Sequence, residues 1–172
     1  MQEKKGWCEM TATVTSFVLK LAPNFNPAEF VGKDWKVIER DEREDGINEL
    51  DWSTVDFETC LKEGESSITG EERLKHLKVG GKVRLGGRAF LSLWNDYQEK
   101  EEKKASVLEQ LYKTKGITFI DFPGLVLQPP FSRRSVLYLY RCGGDLFPWI
   151  DGWLVDDWLV GSLSAVSQVS SS

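Results

Sequence analysis

The sequence has few of the residues that most often build metal sites and nucleophilic sites. It contains one histidine, His76, and three widely separated cysteines, Cys8, Cys60 and Cys142. A single histidine without a CxxC pair argues against a zinc site and against a Ser-His-Asp triad. The odd cysteine count is not a disulfide framework and indicates synthesis in a reducing cytoplasm. We therefore expect no catalytic residue, no metal and no cofactor, with His76 on an exposed helix face.

Long apolar runs and an excess of positive charge are also missing. No run reaches the roughly 18 apolar residues that a membrane span requires, and residues 10–21 are interrupted by threonines, Ser16 and Lys20, which makes them a poor signal-peptide core. The net charge is −5, with Lys and Arg interspersed among Asp and Glu. This charge argues against a nucleic-acid binder that neutralises phosphates. We expect no membrane span, no signal peptide and no nucleic-acid partner.

The C-terminal third lacks many residue types that are common before it. All 14 Lys and all 16 Glu lie at or before Lys115, and residues 129–167 contain no Gln, Met, Asn, Thr or His. What remains is a set of regularly placed tryptophans, Trp149, Trp153 and Trp158, separated by small, apolar or acidic residues. This pattern is typical of a fixed frame that holds interchangeable side chains, as in a binding surface.

The whole chain is predicted to be one α+β domain, residues 1–172. Its 172 residues, 41% hydrophobic and 12% aromatic, are enough for a proper core. Two helices are predicted: one over 70–78, begun by a capping box at Thr69 and Glu72, and one over 102–113 with an apolar stripe. Strands are predicted at 7–21, 35–38, 82–85 and 135–140, with a hairpin over 117–127 that turns at Pro123-Gly124.

Three stretches have no sequence pattern that clearly indicates a helix or a strand. Residues 47–61 fit a helix or a strand equally well, and residues 88–94 fit a strand by alternation or a helix through Phe90, Leu93, Trp94 and Tyr97. Residues 41–45 are interpreted as a solvated acidic turn, because their carboxylates lack the spacing of a calcium loop.

The block after residue 142 is interpreted as a long loop region. Pro148 and Gly152 are poor helix residues, so a looped ribbon pinned by the Trp rings is preferred. Each Trp can bury roughly 150–250 Å². The apolar residues between them then face outward as an interaction surface, although a plain core role for them stays open.

The sequence resembles the variable proteins of diversity-generating retroelements, in the group found in archaea and candidate-phylum bacteria. The similarity covers about residues 83–168. It includes the stretch from Arg84 to Trp94, the Tyr-Leu-Tyr sequence at 138–140, and the Trp149, Trp153-Leu154 and Asp157-Trp158 series followed by Ser-Ala-Val at 164–166. In such systems a reverse transcriptase copies a template repeat and mutates its adenines.

The codons reachable by this process fit the C-terminal block. A template AAC codon cannot become a codon for Lys, Glu, Gln, Met or Trp, and these types are absent between the frame tryptophans. The resemblance therefore implies a variable ligand-binding region at 136–168 and the following variable positions: Cys142, Asp145, Leu146, Phe147, Pro148, Ile150, Asp151, Gly152, Val155, Asp156, Leu159, Val160, Gly161, Ser162 and Leu163. The implied scaffold frame is Trp149, Trp153, Leu154, Asp157 and Trp158.

The resemblance also implies a fold and a function. The fold is a C-type lectin-like domain, related to the formylglycine-generating-enzyme scaffold, in which residues 1–80 form the N-terminal part. The function is non-catalytic display of a hypervariable surface that binds a protein or cell-surface target, on a phage particle or a cell, by a monomer or small homo-oligomer. One departure is Arg141, which stands where the group usually has Trp.

Two other classes of function are weighed. An enzyme on a related scaffold would need reactive cysteine or metal chemistry, and Cys142 has no partner cysteine near it in sequence. A structural or assembly domain would use the same apolar surface as an oligomer interface.

Overall fold

The computed structural model describes residues 16–131, 134–142, 149–155, 157–158 and 163–168, and for 149–155 and 157–158 it describes the backbone. These residues form a mixed α+β structure, as predicted. The helices are α1 (Pro27–Phe30), α2 (Gly70–Val79), α3 (Gly87–Glu99) and α4 (Val107–Lys115), with 3₁₀ turns at Glu42–Gly46 and Lys103–Ala105. The strands are β1 (Val18–Lys20), β2 (Lys36–Arg40), β3 (Glu49–Asp51), β4 (Asp56–Glu58), β5 (Ile68–Thr69), β6 (Val83–Arg84), β7 (Phe119–Gln128), β8 (Ser135–Arg141), β9 (Trp149–Val155), β10 (Asp157–Trp158) and β11 (Leu163–Ser167).

The main sheet has seven strands arranged around β7. Its order is β4-β11-β7-β8-β9, with β2 also paired to β7 and β6 to β11. β7 and β8 are antiparallel, and β8 and β9 are antiparallel, whereas β11 runs parallel to β7. Two small ladders, β1-β3 and β10-β5, lie outside this sheet. Strands from the first 80 residues and from the C-terminal block therefore belong to the same sheet.

The main core lies between this sheet and helices α3 and α4. Phe90 of α3 and Phe122 of β7 meet edge to face, with ring centroids 5.4 Å apart. Leu93, Leu108 and Leu137 are fully buried in the same cluster. Burying each such side chain contributes about 1.5–3 kcal/mol, so this layer supplies most of the hydrophobic stabilisation.

Helix α2 packs on the other face of the sheet. Leu74 forms a small buried cluster with Val126 and Val136. The predicted capping box is confirmed, because Thr69 accepts a hydrogen bond from Glu72 N and the Glu72 side chain accepts one from Thr69 N. His76 is exposed on this helix, as expected.

The described residues form more helices than the two that the sequence predicts. Residues 88–94, which fitted either element, lie within the 13-residue helix α3, where Ala89, Phe90, Leu93 and Tyr97 are buried. Their spacing of three and four residues is that of one helix face. The other helix, predicted over 102–113, begins later, at Val107, because Ser106 is its N-cap and accepts a hydrogen bond from Glu109 N.

The predicted hairpin over 117–127 was wrong. Residues 119–127 belong to the single ten-residue strand β7, and the pairing with β8 shifts register between Phe122 and Val126. Pro123-Gly124 therefore forms a bulge and not a turn. Gly124 N donates to Leu85 O at 2.8 Å, and Gly124 O accepts from Asp41 N at 2.8 Å. These tertiary bonds replace the ladder bonds at the bulge.

The prediction of a long C-terminal loop was also wrong in part, since residues 149–155, 157–158 and 163–167 are β-strands. The spacing of four between Trp149 and Trp153 puts two residues on one face of a strand as well as of a helix. Gly152 is opposed by Tyr138 in the β8-β9 ladder, and an aromatic residue opposite a glycine in an edge strand can offset the missing side chain.

The acidic stretch 41–45 is not a fully solvated turn. Asp41 and Glu44 are only 6% and 5% exposed. Asp41 accepts a hydrogen bond from Arg84 N, and Glu44 accepts from Gly86 N. Sequence pattern gave no signal of this, because both partners lie about 42 residues further along the chain.

The remaining strand predictions agree with the structure where it describes them. The strands at 35–38, 82–85 and 135–140 correspond to β2, β6 and β8, while 47–61 contains strands β3 and β4. The strand predicted over 7–21 is observed at Val18–Lys20, and its first part lies outside the described residues. In the described ranges, no helix has the length and apolar character needed to cross a membrane.

Candidate functional site

Strand β8 separates two differently built faces of the sheet. Leu137, Leu139 and Arg141 are buried on the face covered by α3 and α4, whereas Tyr138 and Tyr140 are only half-buried on the opposite face. This alternation follows from the two-residue period of a strand. The strand thus connects the core to a face that remains accessible.

The accessible face has an aromatic floor. The rings of Phe119 and Tyr138 are stacked with centroids 5.1 Å apart and an interplanar angle of 12°. Tyr140 lies beside Tyr138, with centroids 5.7 Å apart. All three residues are half-buried. Stacked rings with partly accessible faces and edges are a common lining of binding surfaces.

Strand β9 extends this face at the edge of the described sheet. Its register pairs Ile150 with Tyr140 and Gly152 with Tyr138. Residues paired across an antiparallel ladder lie on the same face, so these two candidate variable positions adjoin the aromatic floor.

The alternate positions of β9 share the core face. Trp149 is paired with Arg141, Asp151 with Leu139, Trp153 with Leu137, and Val155 with Ser135. Both predicted frame tryptophans of β9 therefore fall on the face that contains the main core, together with two predicted variable positions, Asp151 and Val155. The predicted frame residue Leu154 is paired with Val136 on the other face.

Arg141 ends β8 and is fixed by α4. Its Nε donates to Glu109 Oε1 at 3.0 Å and its Nη2 to Glu109 Oε2 at 3.5 Å. Its guanidinium lies 3.9 Å from the centroid of the Tyr112 ring. A guanidinium is planar, so it can stack on an aromatic ring like a flat side chain and at the same time keep its ion pair with a carboxylate. The buried arginine is therefore part of the scaffold immediately before the candidate variable block.

Two candidate variable residues can be located by their side chains. Cys142 is exposed and is a free thiol. Leu163 is half-buried and packs against the main core. The remaining candidates with no described position are Asp145, Leu146, Phe147, Pro148, Asp156, Leu159, Val160, Gly161 and Ser162, which lie outside the described residues.

Strand β10 connects the C-terminal block to the first 80 residues. Asp157 is paired with Thr69 and Trp158 with Ile68. Thr69 is also the N-cap of α2, so the two frame positions lie next to the start of that helix. No local pattern predicts this pairing, because its two strands lie almost 90 residues apart in the chain.

Beside the aromatic floor, on the same face of the sheet, lies a buried ion pair that no local sequence pattern predicts. Asp121 is paired in register with both Tyr138 and Ser164. Ser164 Oγ donates to Asp121 Oδ1 at 2.5 Å, and Arg73 Nη1 of α2 lies 3.4 Å from Asp121 Oδ2. Burial raises the pKa of Asp121, against the lowering effects of Arg73 and Ser164. The pair and its hydrogen bond to Ser164 hold α2, β7 and β11 together beside the floor.

The described residues offer no cluster of three or more His, Cys, Asp or Glu side chains able to hold a metal ion. Cys60 is half-buried, and its backbone has a φ of 56°. Burial raises the pKa of the Cys60 thiol, although Arg73 nearby acts in the opposite direction. A thiol with a raised pKa is a weak nucleophile.

Comparison of the chain with protein-family models, with curated proteins and with solved structures gave no match. The candidate site therefore depends on the residues and on the geometry of the sheet.

Proposed function

We propose that the chain is a ligand-binding display protein whose C-terminal surface is diversified by retroelement-directed adenine mutagenesis. It binds protein or cell-surface targets and carries out no catalysis. The C-type lectin-like fold and the positions of the variable residues are part of the same proposal. The observation that carries it is the composition of residues 142–163, where Trp occurs only at the frame positions and every other residue is reachable from an AAC codon.

The geometry of β8 and β9 supports this proposal. Ile150 and Gly152 adjoin the half-exposed rings of Tyr138 and Tyr140, whereas Trp149 and Trp153 share the core face. A rigid floor beside exchangeable positions lets side chains vary without unfolding the domain. Aromatic anchors of this kind provide contact area at low cost in conformational entropy.

The decisive experiment is to sequence the genomic locus. We expect a reverse-transcriptase gene and a second, adenine-rich copy of the segment encoding residues 141–166. The copy should differ from the gene only at its adenines, and those codons then define the site. A locus with neither element overturns the proposal.

The alternative is an assembly domain that uses the same apolar surface as an oligomer interface. It predicts a molar mass in solution that increases with protein concentration. A monomer at all concentrations up to the highest attainable contradicts that alternative and leaves the surface accessible to another partner.

A further inference from the structure

A cleft of about 570 Å³ lies beside the first turn of α3. It is bounded by Phe25, by β2 and by the bulge of β7, and none of the described residues lining it belongs to β8 or β9. Small-molecule sites commonly have volumes of roughly 300–1,000 Å³. The cleft therefore has the size of a ligand site and is separate from the proposed display surface.

Two oppositely charged side chains, both more than nine-tenths buried, line this cleft. Glu44 is 5% exposed and Arg88 is 9% exposed. Glu44 uses Oε1 to accept from Gly86 N at 2.8 Å and from Ala89 N at 3.2 Å. Among the described residues, Glu44 Oε2 has no hydrogen-bond partner.

Arg88 is similarly only partly satisfied. Its Nε donates to Ala22 O at 2.6 Å and its Nη1 to Glu44 O at 2.8 Å. Within the described part of the chain, Arg88 makes no ion pair with a carboxylate, including that of Glu44. Burial raises the pKa of Glu44 and the charge of Arg88 acts in the opposite direction, so the two side chains attract each other without direct contact. Each keeps atoms that can bind an oppositely charged group in the cleft.

The mouth of the cleft also carries one positive and one negative side chain. Arg40 and Asp45 form an exposed ion pair there. The two arginines and the two carboxylates cancel, so the cleft favours neither a simple anion nor a simple cation. Because Glu44 and Arg88 make no direct ion pair with each other, the cleft instead favours a ligand that carries both charges. Phe25 and Leu125 supply an apolar wall.

We propose that this cleft binds a small zwitterion, a free amino acid or dipeptide with an apolar side chain. Glu44 Oε2 accepts hydrogen bonds from the ligand's ammonium group. Arg88 donates to the ligand's carboxylate, and Phe25 and Leu125 contact its side chain. This proposal does not depend on the display function.

A series of three ligands tests both charges on the unmodified protein. L-leucine, N-acetyl-L-leucine and L-leucinamide are titrated against the full chain by ligand-observed NMR. Loss of one hydrogen bond to a charged group weakens binding by about tenfold or more. We therefore expect leucine to bind at least about tenfold more tightly than either blocked form. Equal binding of leucine and either blocked form, or no binding of leucine at millimolar concentration, overturns the proposal.

A matched pair of variants tests the residue assignment. Glu44→Gln retains an oxygen that accepts from Gly86 N and Ala89 N but has no charge, so leucine should bind it only as tightly as N-acetyl-leucine binds the wild type. Glu42→Gln is the control, because Glu42 is exposed in the same 3₁₀ turn and does not line the cleft. Undiminished leucine binding by a folded Glu44→Gln variant contradicts the assignment. If that variant does not fold, the ligand series on the wild type decides.

Discussion

At the scale of single residues, the buried charged groups are held by specific partners. Arg141 combines a bidentate pair to Glu109 with stacking on Tyr112. Asp121 is held by Ser164 and Arg73. Buried charges persist only where such partners offset the loss of hydration, so each partner is expected to matter for stability.

Arg141→Ala and Glu109→Ala should each destabilise the protein by about 3–5 kcal/mol, because each breaks a buried ion pair and leaves the other charge in place. The double variant Arg141→Met with Glu109→Leu should lose much less, since it removes both charges together. Urea unfolding monitored by circular dichroism measures these differences. Lys100→Ala is the control, because its pair with Asp96 is partly exposed and is expected to contribute at most about 1 kcal/mol. A double variant as unstable as the single ones contradicts the explanation.

Asp41 and Asp121 should have opposite effects on the pH dependence of stability. Burial alone would raise the pKa of Asp41, but hydrogen bonds from Arg43 and Arg84 N outweigh it and hold the pKa below 3.8. For Asp121, burial prevails and raises the pKa above 3.8. The Asp41 contribution is therefore present above pH 3.8 and is lost as the pH falls below it. The Asp121 contribution is present below pH 3.8 and is lost as the pH rises.

Urea unfolding of Asp41→Asn and Asp121→Asn from about pH 3 to about pH 7 tests these signs. The stability advantage of the wild type over Asp41→Asn should increase with pH. Its advantage over Asp121→Asn should decrease with pH. Changes in the same direction for both variants would show that at least one of the assigned pKa directions is wrong.

At the scale of elements, the strands depend on close backbone contacts between distant segments as well as on their own sequence patterns. The bulge in β7 brings Gly124 against the strand β6 backbone, so that a Cβ built on Gly124 would lie 2.1 Å from Arg84 O. The bulge thereby joins β7 to β6 and to the residue before the first 3₁₀ turn. A side chain at this position has no space.

Gly124→Ala should destabilise the protein by about 1–3 kcal/mol or more, since the new methyl group meets backbone atoms that cannot rotate away. Gly46→Ala is the matched control, because nothing lies within 4 Å of a Cβ at Gly46, and its effect should stay within about 0.5 kcal/mol. Thermal unfolding of both variants provides the comparison. Equal stability of the two variants would contradict the packing at the bulge.

The alternation along β9 gives a test of frame and variable positions. Ile150→Ser, on the face of Tyr140, should change the free energy of unfolding by less than about 1 kcal/mol. Trp153→Ser, paired with Leu137 on the core face, should cost about 3–5 kcal/mol. Chemical denaturation of both variants measures the difference. A larger loss at residue 150 than at 153 would contradict the placement of Ile150 on the accessible face and of Trp153 on the core face.

At the scale of the whole molecule, the first 80 residues complete the structure that carries the candidate site. They provide β2 and β4 to the main sheet and β5 to the ladder with β10. They also provide buried core residues, including Leu21, Trp52 and Leu77. Without them, β7 and β11 would lose their pairing with β2 and β4, and α2 would no longer cover Val126 and Val136.

A fragment of residues 81–172 should not fold by itself. It would expose the edges of β7 and β11 and the apolar residues that β2, β4 and α2 cover, and unpaired apolar edges favour aggregation. The measurement is the dispersion of amide NMR signals and the near-ultraviolet circular dichroism of the fragment against the full chain. A fragment with native-like spectra would show that residues 1–80 are dispensable for the fold.

The sequence alone predicts the elements that depend on interactions between residues close together in the chain. The capping box at Thr69 and Glu72, the helix stripe of α4 and the β-branched and aromatic run of β8 all involve interactions over one or two turns or along one strand. The composition of residues 142–163 likewise supports a display function without reference to structure.

Only the tertiary structure decided the features made by distant residues. The Pro-Gly pair in β7 became a bulge because Gly124 bonds to Leu85 and Asp41, and α3 was chosen over a strand because its apolar face packs on the sheet. The cleft at Glu44 and Arg88, the pair of Arg141 with Glu109 and the pairing of β10 with β5 each join segments more than 30 residues apart. A pattern within one segment carries no information on such partners, because their energies arise only when the chain is packed.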